Sequence, residues 1–256
     1  MPLFHRYIGI DYSGAATPAS PLRGLTVWIA DREGSPRQVG SPESRSGKWS
    51  RQGLASWLRA RLLEDVPTIV GIDHAFSYPL AALEEAGLGS WDAFLEWFEG
   101  RWPTREVPVQ ACLGPHLEML RRHEAALRLT DRWAPTAMPL CSGWGANGPN
   151  VFFSTHAGIP WLRWLRQETA GRVFFWPFDG FAVPAGRSVV AEVYPRVFRR
   201  RYDPPPLGPD ERDAWLVCRW LQDRDGKDRL AAYFKPPLDE AEARQGRVEG
   251  WILGVV

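Results

Sequence analysis

The sequence predicts an α/β domain built on a mixed sheet, and three observations carry that prediction. Two short apolar runs, "YIGID" closing at Asp11 and "TIVGID" closing at Asp73, end in the same Gly-Ile-Asp. Between them lie a β-rich run, "GLTVWIAD" (24–31), and a turn-rich stretch, "EGSPRQVG", at hairpin spacing. A helical pattern then separates these runs from the second Gly-Ile-Asp, which is the spacing of a crossover to a parallel strand. At 256 residues the chain suits one large domain, or a core domain with a long insertion.

The elements follow in order. Residues 5–11 form the first strand, and Tyr12–Arg23 is a loop rich in Ser, Gly and Pro. Residues 24–31 form the second strand, and "EGSPRQVG" holds a turn and a short third strand. Ser50 caps a helix reaching about Leu63, with Leu54, Trp57, Leu58 and Leu62 on one face. Pro67 ends the connection, and "TIVGID" is the fourth strand. Strands one to three therefore form a meander, and the helix returns the chain to a parallel fourth strand. From 76 to 187 the pattern is an insertion or cap. "SWDAFLEWF" and "HLEMLRRHEAALRL" are helical, "MPLCSGWGANGPN" is loop, "GIPWLRWLRQET" is a short helix, and "RVFFWPFDG" is a strand or turn. The core, 1–75, resumes over 188–256. There "SVVAEVYP" is a fifth strand stopped by Pro195. "PDERDAWLVCRWLQD" is a helix whose first turn carries acids that suit its dipole, with Asp210 as its N-cap. "VEGWILGV" is a final strand or packed extension.

Composition excludes several classes. The formal net charge is +1, so no strongly basic coat for nucleic acid exists and any such binding must be local. Three cysteines, Cys112, Cys141 and Cys218, share no ligand spacing, which argues against a disulfide framework and for a reducing cytoplasm. "MPLFHRYIGID" runs straight into a strand with no leader pattern, and no apolar run nears the ~18 residues of a membrane span. The 14 Trp serve as core filler or as stacking surfaces, and exposure decides between the two. No GxxxxGK phosphate loop and no GxSxG elbow occurs, and no Cys–His pair sits at zinc spacing.

The repeated Gly-Ile-Asp raises the chemical question. Strand alternation puts Gly9 and Asp11 on one face and Ile8 and Ile10 on the other, and likewise Gly71 and Asp73 against Val70 and Ile72. On neighbouring parallel strands, ~4.8 Å apart, the two carboxylates come within a few ångströms. Like charges so close raise one another's pKa, and a bridging Mg²⁺ or Mn²⁺ resolves the conflict. The alternative is that each Asp merely closes a strand as a turn residue. Glu192, inside an apolar strand, is costly unless paired, metal-bound or at an exposed edge. Asp213, near the start of the last helix, either joins the acids or compensates the helix dipole. Four acids of this kind would hold one or two hard cations, and two ions ~3.5–4 Å apart support in-line displacement at phosphate.

Further candidates flank these acids. His74 is a phosphate contact or proton relay by its sequence position, but alternation turns it away from Asp73 and favours a structural role. "RVFRRRY" supplies Arg196, Arg199, Arg200 and Arg201, either as a phosphate-binding cluster or as a solvated face.

Strand-strand-strand-helix-strand, a helical stretch, a further strand and a helix resembles the ribonuclease H-like order. The resemblance implies a five-stranded mixed sheet, order 3-2-1-4-5, flanked by helices, with a large insertion between strands four and five. More narrowly, "IGIDYSG", "VGIDHAFSYP", "THAGIPWLRWLR", "FFWPFDG", "AEVYPRVF", "DERDAWLVCRWL" and "EGWILGV" resemble the domain-of-unknown-function family 429, regarded as predicted nucleases of that fold. The resemblance implies catalytic and metal-binding positions at Asp11, Asp73, Glu192 and Asp213. It also implies that Arg132, in the Arg/Asp-containing "RLTDRW", joins Arg196 and Arg199 at the substrate. "VFFSTHAG" departs from the Thr- and Gly-rich stretch such chains carry, which leaves Thr155 and His156 without an assigned role.

Three functions follow as expectations. The first is a Mg²⁺- or Mn²⁺-dependent nuclease or phosphodiesterase acting on nucleic acid. The second is a phosphotransferase related to the actin-like and sugar-kinase ATPases, since "GIDYSGA" resembles their first phosphate loop, although it needs a second copy of the core. The third is a non-catalytic scaffold whose Trp-rich insertion docks a partner.

Overall fold

The computed structural model describes residues 2–134, 137–142 and 151–256. In chain order the elements are β1 (Arg6–Asp11), β2 (Thr26–Asp31), β3 (Arg37–Gln38), α1 (Arg51–Leu62) and β4 (Thr68–Asp73). There follow α2 (Leu80–Glu85), α3 (Trp91–Arg101), α4 (Val109–Arg122), α5 (Leu129–Trp133) and α6 (Val151–Thr169). The chain closes with β5 (Val173–Trp176), β6 (Ser188–Glu192), α7 (Pro209–Gly226), α8 (Leu230–Tyr233) and α9 (Glu240–Glu249).

The strands form one mixed sheet in the order β3-β2-β1-β4-β6-β5. β1 to β3 are antiparallel neighbours, as the meander requires, and β4 returns parallel to β1. The register of that pair runs from Arg6 opposite Thr68 to Asp11 opposite Asp73. The sheet has six strands among the described residues, not five, and the expected order 3-2-1-4-5 is corrected accordingly. The extra strand is "VFFW", four buried β-formers that pair parallel with β6 on its outer side. All five residues of β6 are buried, so it needs a neighbour on each edge, and β5 supplies the outer one.

Alternation divides the core in two. Ile8, Ile10, Val70, Ile72 and Val190 face the layer that contains α1 and α6. Tyr7, Ile69, Val189 and Ala191 face α7, whose Ala214, Val217, Cys218 and Leu221 complete the second cluster. The 76–187 stretch is built into both layers: its Phe94, Phe98, Ile159 and Leu162 share a buried cluster with Ile8 and Val70, while its Leu129, Phe174 and Trp176 join the α7 cluster.

Local chemistry explains several boundaries. Ser50 caps α1 by accepting from Gly53 N at 3.0 Å. α7 starts earlier than its acids suggested: Gly208 is the N-cap, Pro209 the first helical residue, and Glu211 accepts from Gly208 N at 3.1 Å. Asp210 is therefore a first-turn acid and not the cap. α6 is longer than the short helix read from sequence, because "VFFSTHAG" is helical and Pro160 lies inside. "MPLCSGWGANGPN" falls mostly on 143–150, outside the described residues. Val248 and Glu249 close α9, and the tail beyond is a packed extension tied to β6 by Leu253 N donating to Glu192 O at 2.9 Å. Among the described residues no helix is long and apolar enough to cross a membrane.

Candidate metal centre

A cleft of about 810 Å³ opens over the C-terminal ends of β1 and β4, where ligand sites gather in α/β sheets. Six carboxylates line it (Asp11, Asp73, Asp131, Glu192, Asp210 and Asp213) against two guanidiniums, Arg128 and Arg196.

The centre of this arrangement is the Asp11–Asp73 pair. The two are register partners on adjacent parallel strands, on the face that α7 covers. The glycines of the repeat bring α7 there. A Cβ on Gly9 would lie 2.3 Å from Ala214 O and 2.4 Å from Cys218 N, and one on Gly71 would lie 2.6 Å from Val217 Cγ1. Two bare positions side by side let the helix rest on the sheet backbone. Its first turn then lies over the strand ends, with Asp213 close enough to act electrostatically on both aspartates.

These acids are poorly compensated. Burial, then repulsion from Asp73, Asp210 and Asp213, raises the Asp11 pKa to about 9, against the pull of the Tyr12 backbone N–H. Burial, then Asp213 and Glu192, raises that of Asp73 well above the carboxylate range, with Arg196 pulling the other way. Asp213 is raised by burial, offset by Arg199, Arg212 and Arg196. Its Oδ1 is buried without a hydrogen bond, and the nearest guanidinium nitrogens, Arg199 Nη2 and Arg212 Nε, are 3.7 and 3.8 Å away. Partly buried carboxylates crowded by like charge, one of them with an oxygen left without a hydrogen bond, suit a hard cation. Among the described residues no three His, Cys, Asp or Glu side chains form a ready-made cage. The fit is therefore that of an ion on one or two carboxylates with water completing its shell, which Mg²⁺ favours.

Glu192 does not join this pair. It is the register partner of Ile72, so its side chain leaves the sheet on the Ile72 face, opposite to Asp73. There its two oxygens take the fork of Arg128, Nη2 to Oε1 at 2.6 Å and Nη1 to Oε2 at 2.8 Å. Phe76 N also donates to Oε2, at 3.0 Å. Arg128 completes its bonding with both oxygens of Asp131 and the Glu249 carbonyl. Burial opposes the charge of Arg128, and the carboxylates of Asp131 and Glu192 outweigh it and hold the pKa well up.

The basic candidates separate. Arg196 is exposed and lines the cleft, while Arg199 pairs loosely with Asp213. Arg132 is exposed on α5 and does not line the cleft; the guanidinium that does is Arg128, four residues earlier. The sequence held a signal for it, since Arg at 128 and Asp at 131 sit one turn apart at a helix start. His74 is buried, its Nδ1 lies 2.9 Å from the Ala75 carbonyl, and burial lowers its pKa to about 4, so it is a neutral structural residue at pH 7. Thr155 accepts from Ala75 N at 3.0 Å, and His156 bonds Phe152 O at 2.7 Å and stacks on that ring. Both support the loop after β4.

Arg51 was not singled out from sequence. It is fully buried and donates to three carbonyls of the loop behind Asp11: Ser13 at 3.1 Å, Ala15 at 2.7 Å and Ala16 at 3.2 Å. Lysine cannot reproduce that planar fork. Arg51→Lys is expected to cost about 1–3 kcal/mol in urea unfolding, the range for hydrogen bonds lost by a buried charged donor. Unchanged stability would mean that the fork does not hold the loop.

No family model matches this chain, and neither the curated proteins nor the solved structures contain a match to it.

Proposed function

We propose that this chain is a divalent-metal-dependent phosphodiesterase of ribonuclease H-like type, acting on nucleic acid, as its resemblance to the domain-of-unknown-function family 429 suggests. One observation carries the reading: Asp11 and Asp73 are aligned on adjacent parallel strands at the floor of an acidic cleft, and burial and neighbouring carboxylates raise the pKa of both. Such a pair is unfavourable as a purely structural feature and favourable as ion ligands. The sheet order β3-β2-β1-β4-β6 supports the ribonuclease H-like reading, with β5 as an added edge.

In this reading Asp11 and Asp73 hold the ion, and Asp213 faces it from α7. Bound there, Mg²⁺ or Mn²⁺ supplies a Lewis acid for the phosphate oxygens and a more acidic water. Arg196, exposed at the rim, engages the phosphate and counters the negative field of the cleft. The Arg128 network holds the β6 end and the tail in place. A chain of net charge +1 has few cations for neutralising a long duplex, which favours short or single-stranded substrates. The phosphotransferase alternative needs two copies of the core, and the described residues form one sheet.

The test combines Mn²⁺ calorimetry with labelled DNA and RNA oligonucleotides, in the presence of metal and of chelator. The reading expects ion binding and metal-dependent cleavage, and the loss of both in Asp11→Asn. Cleavage that survives Asp11→Asn, or no ion binding at millimolar Mn²⁺, would sink it.

A further inference from the structure

We infer that the centre takes one divalent ion, not two, and that the Arg128 guanidinium stands where a second ion would need its ligands. This rests on the metal-dependent reading above and concerns how many ions that site accepts.

The argument starts from the bonding of Arg128. Its five N–H groups meet five acceptors: both oxygens of Glu192, both of Asp131, and the Glu249 carbonyl. A guanidinium has no further donor to give. The residue is 3% exposed, so its charge is balanced by these partners rather than by water. Glu192 is equally committed: Oε1 takes Nη2, and Oε2 takes Nη1 and Phe76 N. Asp131 also accepts from Arg128 N, at 3.1 Å. Two of the six cleft carboxylates are thus engaged by a fixed cation that belongs to the protein.

A two-ion centre places its ions ~3.5–4 Å apart and needs carboxylates for both. Register removes Glu192 from the face of Asp73, and Arg128 occupies its oxygens. A second dication on Glu192 or Asp131 would sit beside a buried guanidinium that cannot move away without abandoning five bonds. Four carboxylates remain: Asp210, exposed on the first turn of α7, and the three partly buried ones, Asp11 and Asp73 with Asp213 above, which serve a single ion. Arg128 is accordingly a positioning residue: it withdraws Glu192 and Asp131 from the metal and supplies the positive charge on that flank.

The experiment is a Mn²⁺ titration of the full chain, read by calorimetry and by the loss of the free-ion electron paramagnetic resonance signal, for the natural protein, Glu192→Gln and Asp73→Asn. The expected result is one Mn²⁺ per chain in the natural protein. Glu192→Gln should bind within about 3-fold of that affinity, whereas Asp73→Asn should weaken binding ~100-fold or more, beyond the effect of a residue that only orients ligands. Two ions per natural chain, or a Glu192→Gln loss as large as that of Asp73→Asn, overturns the inference and leaves the metal-dependent reading standing. No ion in the natural protein overturns that reading, and this inference with it. The natural protein's stoichiometry needs no variant, so a Glu192→Gln chain that fails to fold still leaves a decisive count.

Discussion

Asp73→Asn is expected to weaken divalent-ion binding ~100-fold or more and, in the metal-free protein at pH 8, to raise stability. The direction follows from the acids themselves. Asp11 has an ordinary value of 3.8 and a folded-state value of about 9. Above pH 4 the unfolded chain releases a proton that the folded protein retains. Stability is therefore full below that point and declines as pH rises towards 9. Asp73 adds to the slope in the same sense, since it too is raised, by burial and by Asp213 and Glu192. Removing its charge relieves Asp11 of its largest electrostatic neighbour, although the burial of Asp11 persists. Mg²⁺ should flatten the pH dependence of the natural protein by ligating the ionised pair, and should do nothing for the variant. Melting temperatures from pH 5 to 9, with and without Mg²⁺, measure this. Metal-free stability that is level or rises with pH would show that the two carboxylates are not the uncompensated pair described here.

How much of this was legible in the sequence depended on which contacts were local. The meander and the crossover were legible because alternation and spacing are properties of single segments. The Asp11–Asp73 pair was legible because the same three-residue ending appears in the same phase twice. The face of Glu192 is not legible, because it depends on the offset between β4 and β6: opposite Ile72 it points away from Asp73, and one residue later it would point towards it. Strand phase alone does not give that offset. Of the Arg128 partners only Asp131 is local; Glu192 lies 64 residues away and Glu249 121 away, and only folding brings them together. β5 is a four-residue apolar run, and such a run fits strand or turn until a neighbour is known. The recurrent Asp announces chemistry by its charge, while the Gly two residues before it shows in sequence only the phase of the strand.

That glycine carries the second large effect. Gly9→Ala is expected to destabilise the protein by about 3 kcal/mol or more, at or beyond the upper end for overpacked cores. The added methyl meets backbone, Ala214 O at 2.3 Å and Cys218 N at 2.4 Å, and backbone inside a helix cannot rotate aside. Gly71→Ala meets side chains instead, Val217 Cγ1 at 2.6 Å and Val193 Cγ2 at 2.8 Å, which can shift, so about 1–2 kcal/mol is expected there. The difference between two glycines in the same motif tests whether α7 is seated chiefly on β1. The consequence reaches the metal centre, because α7 carries Asp213 and presses it towards the strand ends. A Gly9→Ala chain that accommodates its methyl by lifting α7 would also move Asp213 away from Asp11. Its Mn²⁺ affinity should then fall under conditions where circular dichroism still reports a folded protein. Urea unfolding gives the first quantity and Mn²⁺ titration the second. A Gly9→Ala chain as stable as the natural protein would mean that α7 stands off the sheet, and the closeness of Asp213 to the aspartate pair would lose its structural cause.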